Sequence, residues 1–190
     1  MNFLAHLYLS GNEEEVMIGN FIADHVKGKQ ALTYSAGITK GIQLHRQIDT
    51  YTDQHPVVLE SKIRLRKKYR HYAGVIVDIF YDHFLATHWQ NYSPLTLQQY
   101  STNIYEIIRR YQPVLPIKSA LFFQYVQKYD IFEAYSELDG IKRVLTGMSK
   151  RTPFESGMEN ATEDLITNYT LFEQEFELFF PQLVDFVNVR

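Results

Sequence analysis

The stretch from Tyr72 to Trp89 constrains the fold more than any other segment, because it is apolar almost all round and yet carries Asp78 and Asp82. A helix with an apolar circumference needs neighbours on every side, so this one is expected at the centre of the molecule. Val75, Asp78, Asp82, Leu85 and Trp89 follow helical spacing, which puts both carboxylates on one inward face. Burying them is costly unless something cationic compensates. Buried salt bridges to Arg or Lys are one answer. A metal ion accounts better for the doubling, because two like charges one turn apart repel each other.

The rest of the chain repeats the helical period, and period-two alternation is nearly absent. Helices are expected over 13–27, 35–53, 56–70, 72–91, 94–112, 117–129, 131–147 and 158–188. Pro56 and Pro94 suit first helical turns, with Ser93 as the cap of the second. Pro113, Pro116 and Thr152-Pro153 mark breaks, and Pro181 is expected to kink or split the last helix. The expectation is an all-α chain, one domain over 1–190 with about eight helices. Its last part, 155–190, is a Phe-rich helical extension, and Leu171, Phe172, Phe176, Phe179 and Phe180 serve as core packing.

The chain has no cysteine, so any metal must be held by oxygen and imidazole. Met1 to Ser10 is apolar but short and lacks the basic start of a signal peptide. No run approaches the ~18 apolar residues of a membrane span. The expected location is the cytoplasm, with no membrane partner. The net charge of −3 hides an asymmetry. Lys62, Arg64, Arg66, Lys67, Lys68 and Arg70 form a dense basic run, whereas 155–190 is acidic. One basic patch on an acidic chain suits an acidic protein partner better than nucleic acid, and a solvated helix face is the plain alternative.

Three further segments place polar groups in apolar settings. His45 and Asp49 stand one turn apart on the face of Ile38 and Ile42. They fit a shared metal or an imidazole oriented by a carboxylate, although a capped core histidine gives the same pattern. Asn20 and Asp24 are likewise one turn apart, and His6 lies alone in an apolar segment. The convergence is the signal. Mixed carboxylate and imidazole donors suit Mn²⁺, Fe²⁺ or Zn²⁺, and carboxylate-rich sites also suit Mg²⁺. Such an ion activates water and polarises a phosphoryl oxygen. A free histidine can protonate the leaving oxygen, and Arg46, offset from the His45 face, can reach an anion. The chain has no glycine-rich phosphate loop and no nucleophile-elbow serine.

Asn2-Phe-Leu-Ala-His6-Leu, Gly19-Asn-Phe-Ile-Ala-Asp24, Gly41-Ile-Gln-Leu-His45-Arg46-Gln-Ile-Asp49 with Thr52-Asp53, Asp78-Ile-Phe-Tyr-Asp82-His83-Phe-Leu with His88-Trp89, and Val144-Leu-Thr-Gly147-Met148-Ser-Lys-Arg151 resemble the acyl carrier protein phosphodiesterase family. The resemblance runs in order from residue 1 to about 152. It implies a divergent HD-domain-like helical bundle using a divalent ion, Mn²⁺ first among the candidates. The implied reaction cleaves the phosphodiester between 4′-phosphopantetheine and a serine of acyl carrier protein. Asp24, His45, Asp49, Asp78 and Asp82 are then the expected metal residues, with His6, Arg46 and His83 in catalytic roles. The basic run 62–70 becomes a docking face for the acidic carrier. Two departures stand out: Tyr8 occupies a position where some members are expected to have His, and the usual His-Asp dipeptide is replaced by His45-Arg46 and Asp82-His83. The alternatives are a metal phosphohydrolase acting on a small phosphoester or nucleotide, and a non-catalytic carrier-binding module.

Overall fold

The structure, a computed structural model, describes residues 1–189. Among these are eleven α-helices and no strand: α1 (Phe3–Tyr8), α2 (Glu14–Ile22), α3 (Ala36–Gln54), α4 (Pro56–Tyr69), α5 (Ala73–Thr87), α6 (Leu97–Arg110), α7 (Ile117–Lys128), α8 (Ile131–Ala134), α9 (Leu138–Ser149), α10 (Ala161–Thr167) and α11 (Tyr169–Asn188). Buried apolar side chains from Met1 to Leu183 form one continuous core. The chain is all-α, as its periodicity implies.

The apolar Asp-bearing segment is α5, and it touches α1, α4, α9 and α11. From α11, Phe172, Phe176, Phe179, Phe180 and Leu183 are all fully buried, each large side chain contributing about 1.5–3 kcal/mol of burial. Leu171, grouped with them on sequence, is 48% exposed.

Several boundaries differ from the sequence reading. Thr96, not Ser93, caps α6: its hydroxyl accepts from the Gln99 N–H while the Gln99 side chain accepts from the Thr96 N–H, a reciprocal box that outcompetes a lone serine. The segment 131–147 divides into α8 and α9. The segment 158–188 divides at Asn168, whose amide donates to the Asp164 carbonyl and closes α10. Pro181 lies inside α11 without splitting it, and the Gln182 side chain donates to the nearby Leu178 carbonyl. α1 was too short to register as a periodic segment.

The charge asymmetry largely closes on itself. Arg64 grips Glu175 of α11 with both terminal guanidinium nitrogens, at 2.7 and 2.8 Å. Lys68 binds Asp164 at 2.8 Å and Lys62 binds Asp53 at 2.6 Å. Arg66, Lys67 and Arg70 are exposed and carry no ion pair among the described residues.

Two glycines set the approach of α2 to α3. A Cβ on Gly19 would lie 2.0 Å from the Ile38 carbonyl oxygen, and one on Gly41 would lie 2.0 Å from that of Val16. Only hydrogen fits at this crossing, and the crossing brings Asn20 against His45.

Candidate metal centre

His6 on α1, Asp24 in the turn after α2, and His45 and Asp49 on α3 meet on the wall of a cleft of about 460 Å³. The His6 Nε2 stands 3.1 Å from one Asp49 oxygen, and the His45 Nε2 stands 3.2 Å from the other. The Asp24 carboxylate is 3.3 Å from the same His45 nitrogen. Ligand atoms of His6, His45 and Asp49 all fall within 4.8 Å of one another.

Asn20, which is 1% exposed, orients both rings. Its Nδ2 donates to the His6 carbonyl at 2.8 Å and to the Ser10 hydroxyl at 2.9 Å, which fixes Oδ1 as an acceptor. That oxygen is 2.9 Å from Nδ1 of His6 and 2.9 Å from Nδ1 of His45. Both rings therefore carry their Nδ1 proton towards Asn20 and turn Nε2 to the cleft. A buried partner on the far nitrogen is the arrangement that holds a metal-binding imidazole in one tautomer.

The electrostatics agree with a cation site. Burial disfavours the His45 cation, but the Asp24 and Asp49 carboxylates outweigh it and hold the ring up to about 9. Burial lowers His6. Burial alone would raise Asp49, yet the hydrogen bond from the charged His45 ring, with the His6 ring beside it, keeps it well below the carboxylate range. The His45 hydrogen bond outweighs burial at Asp24 and lowers it too. Two imidazoles and a carboxylate converging in this way have the donor set and spacing for a divalent ion.

Not every expected site residue joins this centre. Asp82 is fully buried and spends its carboxylate on α1, accepting from the N–H groups of Leu4 at 2.8 Å, Asn2 at 3.2 Å and Ala5 at 3.4 Å. A carboxylate at a helix start satisfies N–H groups that lack partners within the helix. Asp82 thus anchors α1, and burial pushes it up to about 7 against the pull of the Met1 ammonium and those N–H groups. Asp78 lines the cleft, and its carboxylate binds the Met1 ammonium at 2.9 Å. His83 lies apart from the cleft: Nδ1 donates to the Tyr135 carbonyl at 2.7 Å and Nε2 meets the Tyr169 hydroxyl at 3.0 Å, so it ties α5 to its neighbours. Arg46 is exposed and reaches the Val26 carbonyl at 3.4 Å, outside the cleft. An apolar helix that is buried all round makes every polar residue on it look inward, which is why periodicity alone could not separate Asp82 and His83 from the site.

The sequence reading missed His71 and Met148, both of which line the cleft. His71 follows Arg70, whose φ of 52° is uncommon for a non-glycine residue and turns the chain from α4 towards α5. A basic groove of about 500 Å³, lined by Lys62, Arg66 and Arg70, adjoins the cleft and shares Asp53, His71 and Gly74 with it.

Among the described residues no helix is long and apolar enough to cross a membrane. No solved structure matches the chain. Residues 1–183 match the family model described as acyl carrier protein phosphodiesterase. Proteins of that name are similar over nearly their whole length: 37% identical in Klebsiella pneumoniae subsp. pneumoniae, 34% in Enterobacter sp. (strain 638) and 34% in Serratia proteamaculans (strain 568), each alignment covering 97% of this chain and 96% of the relative. The chain is therefore a member of the acyl carrier protein phosphodiesterase family.

Proposed function

We propose that this protein hydrolyses the phosphodiester joining 4′-phosphopantetheine to a serine of acyl carrier protein, releasing apo carrier and 4′-phosphopantetheine. The observation that carries the reading is the His6–His45–Asp49 trio, with both tautomers set by Asn20, in a chain of this family. His6, His45 and Asp49 would hold the ion, with Asp24 beside His45. Mn²⁺ is the first candidate, since two imidazoles with carboxylates suit it as well as Fe²⁺ or Zn²⁺. When bound, the ion supplies Lewis acidity to a phosphoryl oxygen and to the attacking water.

The chain's own residues supply the rest. Water adds to phosphorus and gives up a proton, the bond from phosphorus to the serine oxygen breaks, and that oxygen gains a proton. His71, at the junction of cleft and basic groove, is the residue for that proton in place of His83. Arg66 and Arg70, exposed and without ion-pair partners among the described residues, face the acidic carrier and steer it. Arg64 and Lys68 are already committed to Glu175 and Asp164 and serve the fold.

The test is the intact mass of holo carrier after incubation with the protein and Mn²⁺, with and without EDTA. Loss of the phosphopantetheine mass that EDTA abolishes is expected. An unchanged carrier, with turnover of small phosphodiesters, would move the reading to a small phosphoester substrate. Carrier binding that ignores EDTA, without turnover, would make the protein a binding module.

A further inference from the structure

A second cavity adjoins the metal cleft and shares no lining residue with the basic groove. Its volume is about 290 Å³, and it shares Asn2, Phe3, Asp24 and Met148 with the cleft. Beyond that neck its walls are mainly apolar and aromatic: Phe122 and Tyr125 of α7, Ile131 of α8, Tyr135, and Val144 of α9. Phe3 is packed on Phe122, ring centroids 4.2 Å apart. Polar groups stand among these walls. The Arg151 guanidinium lies over the Tyr125 ring at 5.1 Å and its Nε donates to the Gly147 carbonyl, while His25 is held by the Ser119 hydroxyl at 2.8 Å.

Basic groove, metal cleft and apolar pocket thus form one series, joined through His71 and Asp53 on one side and through Phe3 and Met148 on the other. The proposed substrate has the same order of chemistry: an acidic protein, a phosphodiester, then a largely apolar arm with a few amide groups. We propose that the apolar pocket receives the pantetheine arm, so that the substrate crosses the cleft in one direction, with carrier towards Arg66 and Arg70 and arm towards Phe122 and Val144. This rests on the proposed function. Pockets lined by aromatic and apolar side chains with a few placed polar groups are how proteins bind ligands of this size, and Arg151, Thr152 and His25 supply those polar groups for the amides. The direction also places the serine oxygen on the side of His71.

Calorimetric titration of the Mn²⁺-loaded protein with 4′-phosphopantetheine and, separately, with inorganic phosphate reads the pocket without turnover. The arm should make phosphopantetheine bind about tenfold or more tighter than phosphate. Val144→Trp, which fills the pocket from α9, should erase that advantage and leave phosphate binding as it was. If Val144→Trp does not fold, Thr152→Trp at the partly exposed rim carries the same expectation. Equal affinities of the two probes for the wild type, or a folded variant that keeps the advantage, would overturn the proposal. Failure of the proposed function looks different: holo carrier keeps its mass even though phosphopantetheine binds in the pocket.

Discussion

The imidazoles of His6 and His45 stack with centroids 4.0 Å apart and planes 18° from parallel, and both aim Nε2 at the carboxylate of Asp49. The two rings are pushed in opposite directions: the Asp24 and Asp49 carboxylates raise His45, while burial lowers His6. A divalent ion held by these residues would take the place of the proton, so its binding would release protons and weaken as pH falls.

Asn20→Leu removes the side-chain acceptor of both Nδ1 protons, leaving His45 Nδ1 the residue-20 carbonyl at 3.0 Å and His6 Nδ1 without its partner. Loss of such a supporting contact costs about 10–100-fold in metal affinity. Competitive Mn²⁺ titration against a chelating dye should show that loss, with far-ultraviolet circular dichroism unchanged.

Gly41→Ala forces a methyl into the Val16 carbonyl and pushes α3 away from α2. Overpacking of this kind costs about 1–3 kcal/mol or more. Urea unfolding should report a lower midpoint, and metal loading should fall with it because Asn20 loses its register with His45.

Asp49→Ala and Asp82→Ala should fail in different ways. The first removes a ligand, so turnover and Mn²⁺ binding should vanish outright, and the metal-free melting temperature should fall at neutral pH by the loss of the carboxylate that compensates His45. The second leaves three N–H groups at the start of α1 without their partner, a penalty of about 1–3 kcal/mol per buried group. It should lower the melting temperature and reduce activity only through the displacement of His6. Melting curves alongside metal titration separate the two cases.

The metal-free protein should lose stability as pH rises from about 7.5 to about 9.5, by at most about 1.4 kcal/mol per unit for each titrating group. The folded pKa of His45 is raised from 6.5 to about 9. Its contribution is therefore complete below the unfolded value and is lost as pH passes the folded one. The Met1 ammonium, raised by Asp78 against burial, acts in the same direction. His6, lowered by burial, and Asp82, at about 7, have largely titrated by then. Thermal melts in EDTA across this range check the slope, and His45→Gln should flatten most of it.

Arg66→Glu with Arg70→Glu should raise KM for holo carrier and weaken its dependence on salt, leaving melting temperature and kcat close to wild type. Arg64→Glu should do the reverse, destabilising the α4–α11 pairing with Glu175. Carrier kinetics at two ionic strengths, with a melt of each variant, distinguish docking residues from structural ones.

The helical class, the central place of α5 and the pairing of His45 with Asp49 were legible in the chain, because spacing decides which residues share a helix face; that Asp24 belongs beside them came from the family resemblance, and that His6 joins them came only from the fold. The same spacing marked Asp82 and His83 as inward-facing, but inward is not the same as towards the cleft. Which neighbour they meet depends on α1 lying across α5 and on Tyr135 and Tyr169 arriving from distant segments. The basic run was equally visible in composition, whereas its division into structural Arg64 and Lys68 and unpaired Arg66 and Arg70 needed Glu175 and Asp164 to be placed beside α4. Local periodicity, turn chemistry and residue type are properties of the sequence. The partner that satisfies each buried charge is set by long-range packing, and that packing decided which of the acids and histidines meet at the cleft.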